Sequence, residues 1–122
     1  MYRVAITREF SSAHSLREYM GKCEALHGHN WKVEIVAESE TLDRLGMVLD
    51  FTILKAKASE VLEPLDHAHL NELAPFDTIN PSSENLAKYI FDEMSARVND
   101  DRVRIAEVSV WESGNNKAIY WV

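Results

Sequence analysis

All five histidines of the 122-residue chain fall in two tight groups, His14, His27 and His29, then His67 and His69. Imidazole both ligates divalent metals and moves protons near neutral pH, so this grouping is where chemistry is to be sought. His27 and His29 open an alternating run that continues through Trp31, Val33, Ile35 and Ala37. On a strand such residues share a face, and two steps of rise separate the pair by about 7 Å along the backbone. Imidazoles on an apolar face leave polar nitrogens wanting partners, at about 1–3 kcal/mol each, and a shared cation removes that cost. His14 has the core-facing parity of an earlier run, Tyr2, Val4, Ile6, Phe10 and Ser12, and supplies a third ring if the two strands are neighbours. Three imidazoles with no carboxylate or second thiolate nearby suit zinc, and three protein ligands leave one position open, as catalytic sites require. A bare His-x-His also arises by chance, and the same residues fit a turn at a strand end with His14 as a satisfied histidine.

Three further residues could join such a centre. Cys23 is the sole thiol. A lone cysteine commonly acts as an inert small apolar side chain, whereas this one lies between Lys22 and Glu24 just before the first histidine of the pair, and positive charge at the mouth of a metal site would favour thiolate. Asp66-His67 is the acid and imidazole pairing that fixes a tautomer and prepares a proton acceptor, although at a helix end the same pair serves as a cap. These three act together only if they meet in space. Glu112 shares strand parity with Ala106, Val108 and Val110. Its carboxylate either finds donors on a buried face, such as the amino-pyrimidinone edge of a guanine-like ring, or reaches solvent where the strand ends.

The elements that must position these residues follow from periodicity. Residues 2–14 and 27–37 read as strands, the first with its core face on even numbers and the second on odd. Asp43 to Gly46 reads as a turn and Met47 to Leu49 as a short third strand. From Asp50 the spacing becomes helical through Phe51, Leu54, Ala58, Val61, Leu62 and Leu65, with Asp50 or Thr52 as cap and Pro64 as the stop. Asn80-Pro-Ser-Ser-Glu announces a second helix, with proline in its first turn and Leu86, Ile90, Phe91 and Met94 as its buried stripe. Arg102 to Glu112 and Lys117 to Val122 return to strand around a Ser-Gly-Asn-Asn turn. The order predicts an α+β fold, one domain over residues 1–122, with helices covering one face of an antiparallel sheet. The opposite face then needs a partner subunit if it is apolar.

Composition narrows the function. The chain is 46% apolar with 13 basic against 20 acidic residues, a net charge of -7. No Lys/Arg cluster is present to hold phosphate backbones or an anionic bilayer, so neither nucleic acid nor membrane is an expected partner. One cysteine excludes an intrachain disulfide framework, and the opening residues hold no apolar run long enough for a signal peptide. A cytoplasmic location is therefore expected.

Taken together, Phe10-Ser-Ser-Ala-His14, Cys23-Glu-Ala-Leu-His27-Gly-His29-Asn30, Val48-Leu-Asp-Phe51, Leu65-Asp-His67-Ala-His-Leu-Asn71, Asn80-Pro-Ser-Ser-Glu-Asn85 and Val108-Ser-Val-Trp-Glu112 resemble the successive motifs of the 6-pyruvoyltetrahydropterin synthase family. The length and the Cys23 to His27 spacing look most like its bacterial 6-carboxytetrahydropterin synthase branch. The resemblance implies the tunnelling fold (T-fold): a four-stranded antiparallel sheet with two helices on one side, sheets closed into a barrel as trimers, and two trimers stacked as a homohexamer with sites between subunits. It further implies that His14, His27 and His29 hold Zn2+. Cys23 would abstract the proton with Asp66 and His67 as relay, and Glu112 would anchor a pterin ring. Hydroxyl contacts from Ser82 and Ser83 are implied where the family usually carries threonine in at least one place. The implied reaction converts 7,8-dihydroneopterin triphosphate to 6-carboxy-5,6,7,8-tetrahydropterin, acetaldehyde and triphosphate, a lyase step towards queuosine and other 7-deazapurines. Paralogues sharing the zinc motif retain the side chain, as 6-pyruvoyltetrahydropterin synthase, or cleave dihydroneopterin as aldolases. A non-catalytic zinc- or pterin-binding protein is the alternative from outside enzymes. Arg17 and Lys22 lie in a loop that could meet the triphosphate.

Overall fold

The computed structural model describes residues 1–22 and 24–122. Strand β1 (Tyr2–His14) pairs antiparallel with β2 (His27–Ser39) along its whole length, from Tyr2 opposite Ser39 to His14 opposite His27. Helix α1 (Phe51–Leu62) follows, then the two-residue strand β3 (Ala68–His69), helix α2 (Ser83–Val98), and strands β4 (Arg104–Ser113) and β5 (Asn116–Trp121). The sheet order is β3-β1-β2-β4-β5, with β3 parallel to β1 and the other neighbours antiparallel.

The sheet therefore has five strands and is mixed, where four antiparallel strands were expected. The expected strand at Met47 to Leu49 does not form. Asp43 closes a turn there instead, its carboxylate accepting from Leu45 and Met47 N–H, with Gly46 at φ +80°, a conformation glycine adopts without steric cost. The additional strand, Ala68–His69, is too short to show any alternation.

Both helices cover one face, α1 against β1 and α2 against β4 and β5. The core between is closed by Ile6, Phe10, Trp31, Val33 and Ile35 from the strands and by Leu54, Ala58, Leu62, Leu86, Ile90 and Met94 from the helices. Parity on β1 and β2 is as the alternation predicts. On β4 the register shifts opposite Val36 and Ala37, so Ala37 faces Ile105 while Val36 faces Glu107. Ala106 is the extra residue of a bulge, and Ile105 takes the buried place that alternation gave to Ala106. Phe51, expected in the α1 stripe, is exposed.

Asp50 caps α1 by accepting from Thr52 N–H. Ser82 caps α2 by accepting from Asn85 N–H, which puts Pro81 just before the cap rather than inside the first turn. The face away from the helices is polar, with Thr7 opposite Glu34 and Glu9 opposite Lys32. Trp111 there has the ammonium groups of Lys32 and Lys117 over its ring at 4.8 and 4.7 Å, and Ile119 and Trp121 of β5, opposite Ser109 and Glu107, add an exposed apolar margin at the β5 edge. That face is not the apolar surface that would by itself demand cover. Among the described residues no helix is long and apolar enough to cross a membrane.

Candidate metal centre

Strand register assembles the site. His14 is the last residue of β1 and His27 the first of β2, directly opposite one another, and Ser12 is opposite His29. All three imidazoles point to the inward side at the end of the sheet, against the edge of Trp31, whose ring lies 4.9 Å from that of His14 and 5.2 Å from that of His29. Trp31 is fully buried and stacks on Phe10 at 6.0 Å, so the apolar core forms a wall behind the histidines.

The hydrogen bonds decide which nitrogens are available. His14 Nδ1 lies 2.8 Å from the Pro81 carbonyl and His27 Nδ1 2.8 Å from the Ala25 carbonyl. A carbonyl oxygen only accepts, so each neutral ring carries its proton on Nδ1 and turns the Nε2 lone pair away. Those two Nε2 atoms face each other at 3.1 Å. Two lone pairs at that distance repel unless a proton or a metal ion lies between them. His29 Nε2 is buried beside them without a hydrogen-bond partner among the described residues. Burial pushes the His29 imidazole below its ordinary pKa, against the pull of the Glu112 carboxylate. A neutral, lone-pair-bearing ring is what a divalent metal needs.

Glu112 completes the group. Its carboxylate oxygens stand 3.4 Å from His29 Nε2 and 3.9 Å from His14 Nε2. One ligand atom from each of His14, His27, His29 and Glu112 lies within 4.8 Å of all the others, the one such group of His, Cys, Asp and Glu among the described residues. The expectation of no nearby carboxylate is thus corrected: Glu112 is distant in sequence and adjacent in space because β4 is paired to β2. Glu112 also borders a cavity of about 330 Å³ with Ser83, Glu84 and Lys117. Its carboxylate is 40% exposed, and so can reach either the histidines or a molecule in that cavity.

The remaining candidates are placed differently. Cys23 lies outside the described residues. Asp66 and His67 form a pair at 3.0 Å at the edge of β1; they are not part of the four-residue group, although His67 and His29 both line a shallow depression of about 440 Å³. There Asp66 Oδ1 accepts from Ser11 N–H at 2.9 Å, and the His67 N–H donates to the Ser11 carbonyl. The Ser11 hydrogen bond holds the Asp66 carboxyl below the usual carboxylate range, reinforced by His67. His67 has φ +52°, a conformation uncommon for non-glycine residues, and its side chain is 81% exposed. Ser82 spends its acceptor on the α2 cap, while Ser83 faces the Glu112 cavity. Arg17 is committed to the fold, its guanidinium donating to the carbonyls of Asn71, Phe76 and Ile79. It is thereby removed as a free phosphate ligand. The Pro81 and Ala25 carbonyls and the indole of Trp31 were missed from sequence, since a backbone carbonyl carries no residue signature.

A model of the family described as 6-pyruvoyl tetrahydropterin synthase matches residues 3–122. The chain belongs to that family. An Archaeoglobus fulgidus protein, whose 6-carboxy-5,6,7,8-tetrahydropterin synthase name is provisional, is 40% identical over 85% of this chain and 86% of its own. The dihydroneopterin monophosphate aldolase of Pyrococcus furiosus is 33% identical over 90% of this chain and 89% of its own. The 6-pyruvoyl tetrahydropterin synthase of Caenorhabditis elegans superposes over all of this chain and 97% of its own with a TM-score of 0.82 at 26% identity. The fold is thus the T-fold of a family of pterin-processing enzymes, with two helices on one face of the sheet and a fifth, two-residue strand at its edge.

Proposed function

We propose that this protein is a zinc-dependent 6-carboxy-5,6,7,8-tetrahydropterin synthase, taking 7,8-dihydroneopterin triphosphate and water to 6-carboxytetrahydropterin, acetaldehyde and triphosphate. The observation that carries the reading is the 3.1 Å approach of two Nε2 atoms whose rings both hand their Nδ1 protons to carbonyls, next to the unpartnered Nε2 of His29. That donor set fits a borderline-soft divalent ion bound by nitrogen, for which zinc is the expected choice. His14, His27 and His29 would hold it.

When bound, zinc supplies Lewis acidity that polarises the side-chain oxygens of the substrate and acidifies the adjoining C–H. The protein residues do the rest. Glu112 accepts from the amino-pyrimidinone edge of the pterin, Ser83 adds a hydroxyl on the same cavity, and the two fix which way the side chain falls. Ser82 serves the cavity indirectly, by ending α2 where Ser83 can border it. Cys23 takes the proton, and Asp66 holds His67 oriented as the relay. An imidazole as exposed as His67, held at a sheet edge, suits a site completed by a second chain. Assembly into a homohexamer with sites between subunits accounts for both features, and it works in the cytoplasm as one domain per chain. The product is placed in queuosine and other 7-deazapurine synthesis.

Incubation of the zinc-loaded protein with 7,8-dihydroneopterin triphosphate tests the reading. Release of acetaldehyde with triphosphate is the expected result. Triphosphate without acetaldehyde would identify a 6-pyruvoyltetrahydropterin synthase instead, and turnover of the monophosphate alone would identify an aldolase. The 40% identity with the Archaeoglobus protein supports the first outcome over the other two.

A further inference from the structure

Of the three histidines facing the centre, two have an outer partner and one does not. His14 and His27 donate Nδ1–H to the carbonyls of Pro81 and Ala25, each at 2.8 Å. His29 makes no hydrogen bond to a carbonyl among the described residues, and its Nε2 is buried without a partner. Metal-binding imidazoles almost always hand the second ring N–H to an acceptor, which fixes the tautomer and the ring plane. Without one, His29 is free to present either nitrogen, or to turn away.

Ser12 is the residue directly opposite His29 in the β1 and β2 register. It has the inward parity of Phe10 and His14, it is 7% exposed, and its hydroxyl is buried with no hydrogen-bond partner among the described residues. Directly paired side chains on one sheet face have Cβ atoms about 4.5–5.5 Å apart, within reach of a serine hydroxyl and an imidazole nitrogen. Neighbouring Ser11 illustrates the contrast, since on the other face its hydroxyl donates to Asn30 Oδ1 at 2.7 Å. A buried hydroxyl left unpaired costs about 1–3 kcal/mol, and the ring across from it has no carbonyl on Nδ1 among the described residues, unlike those of His14 and His27.

We infer that the Ser12 hydroxyl is the outer hydrogen-bond partner of His29, accepting its Nδ1–H when Nε2 engages the metal, and so acts as a positioning residue of the centre. The inference rests on the metal-centre reading and goes beyond it. A serine at this position gives His29 the support that backbone carbonyls give the other two rings, and it ties the third ligand to the strand pair.

The test is Ser12→Ala, read by zinc competition against a chromophoric chelator and by the imidazole N–H proton resonances of the zinc-loaded protein. Removal of such a partner weakens metal binding by about tenfold to a hundredfold. We expect that loss, together with disappearance of one of three protected imidazole N–H signals while the two from His14 and His27 persist. The melting temperature of the metal-free variant should not fall, because the hydroxyl removed there is unpaired. Wild-type zinc affinity in the variant, or three intact imidazole signals, overturns the inference and leaves the metal centre standing. An affinity loss matched by a fall in metal-free stability assigns Ser12 to packing and overturns it too. A wild-type protein that takes up no zinc overturns the centre itself, which separates the two failures.

Discussion

At the scale of single residues, the state of the histidines governs what the centre can do. His29 is held below its ordinary pKa by burial, so the unfolded chain takes up that proton more readily than the folded one. The resulting contribution to stability is whole above about pH 6.5 and is lost as pH falls through the lower folded value. The melting temperature of the metal-free protein should therefore decline between pH 7 and pH 5, and His29→Gln should flatten that part of the profile in a calorimetric pH series. Asp66 is lowered as well, by Ser11 N–H, and its contribution is lost only in the acid range below the ordinary carboxylate value. Metal binding has its own dependence. All three imidazoles must be deprotonated to ligate, so zinc content measured after equilibration should fall steeply below about pH 6. Retention of full metal well below that pH would mean that other residues hold it.

Elements convert these residues into a site, and their ends matter more than their middles. His14 closes β1 and His27 opens β2, so the centre forms where the paired strands stop and the next backbone carbonyls, Ala25 and Pro81, are free to accept. Pro81 is held there because Ser82 caps α2. Ser82→Ala should cost about 1 kcal/mol in a urea titration, whereas Ser82→Gly should cost only a few tenths. A larger loss of pterin affinity than of stability in both variants would instead give Ser82 a direct contact. Arg17 fixes the segment leading into Pro81 through three carbonyls. Arg17→Met leaves those carbonyls without a charged donor, and a loss of about 2–3 kcal/mol is expected from the same titration. Were Arg17 a phosphate ligand, substrate affinity would fall with stability unchanged.

At the scale of the whole molecule, the Asp66–His67 pair lies exposed at the sheet edge. Edge strand β5 carries Ile119 and Trp121, both exposed, and the neighbouring depression of about 570 Å³ is lined by Phe91 and Ile105 together with the ion-pair group of Glu38, Arg3 and Arg104. Edges with unpaired backbone groups invite pairing with another chain. Light scattering should give a multiple of the 14.0 kDa chain mass, and Trp121→Glu at this edge should shift it towards the single chain with turnover lost and zinc retained. An unchanged mass with normal turnover would place the contact elsewhere.

The sequence by itself determined the two long strands, their facing parity, both helices and the three histidines, because alternation and helical spacing are local properties written residue by residue. The family motifs were legible for the same reason, each being a short run around a strand end or helix start. Tertiary structure alone decided what depends on register. It set the bulge that buries Ile105 in place of Ala106, brought Glu112 to the histidines across β4 and β2, and used Ala68–His69 instead of Met47 to Leu49 as a strand. Strand pairing and backbone carbonyl positions are contacts between distant segments, and no spacing along one chain encodes where two segments will meet.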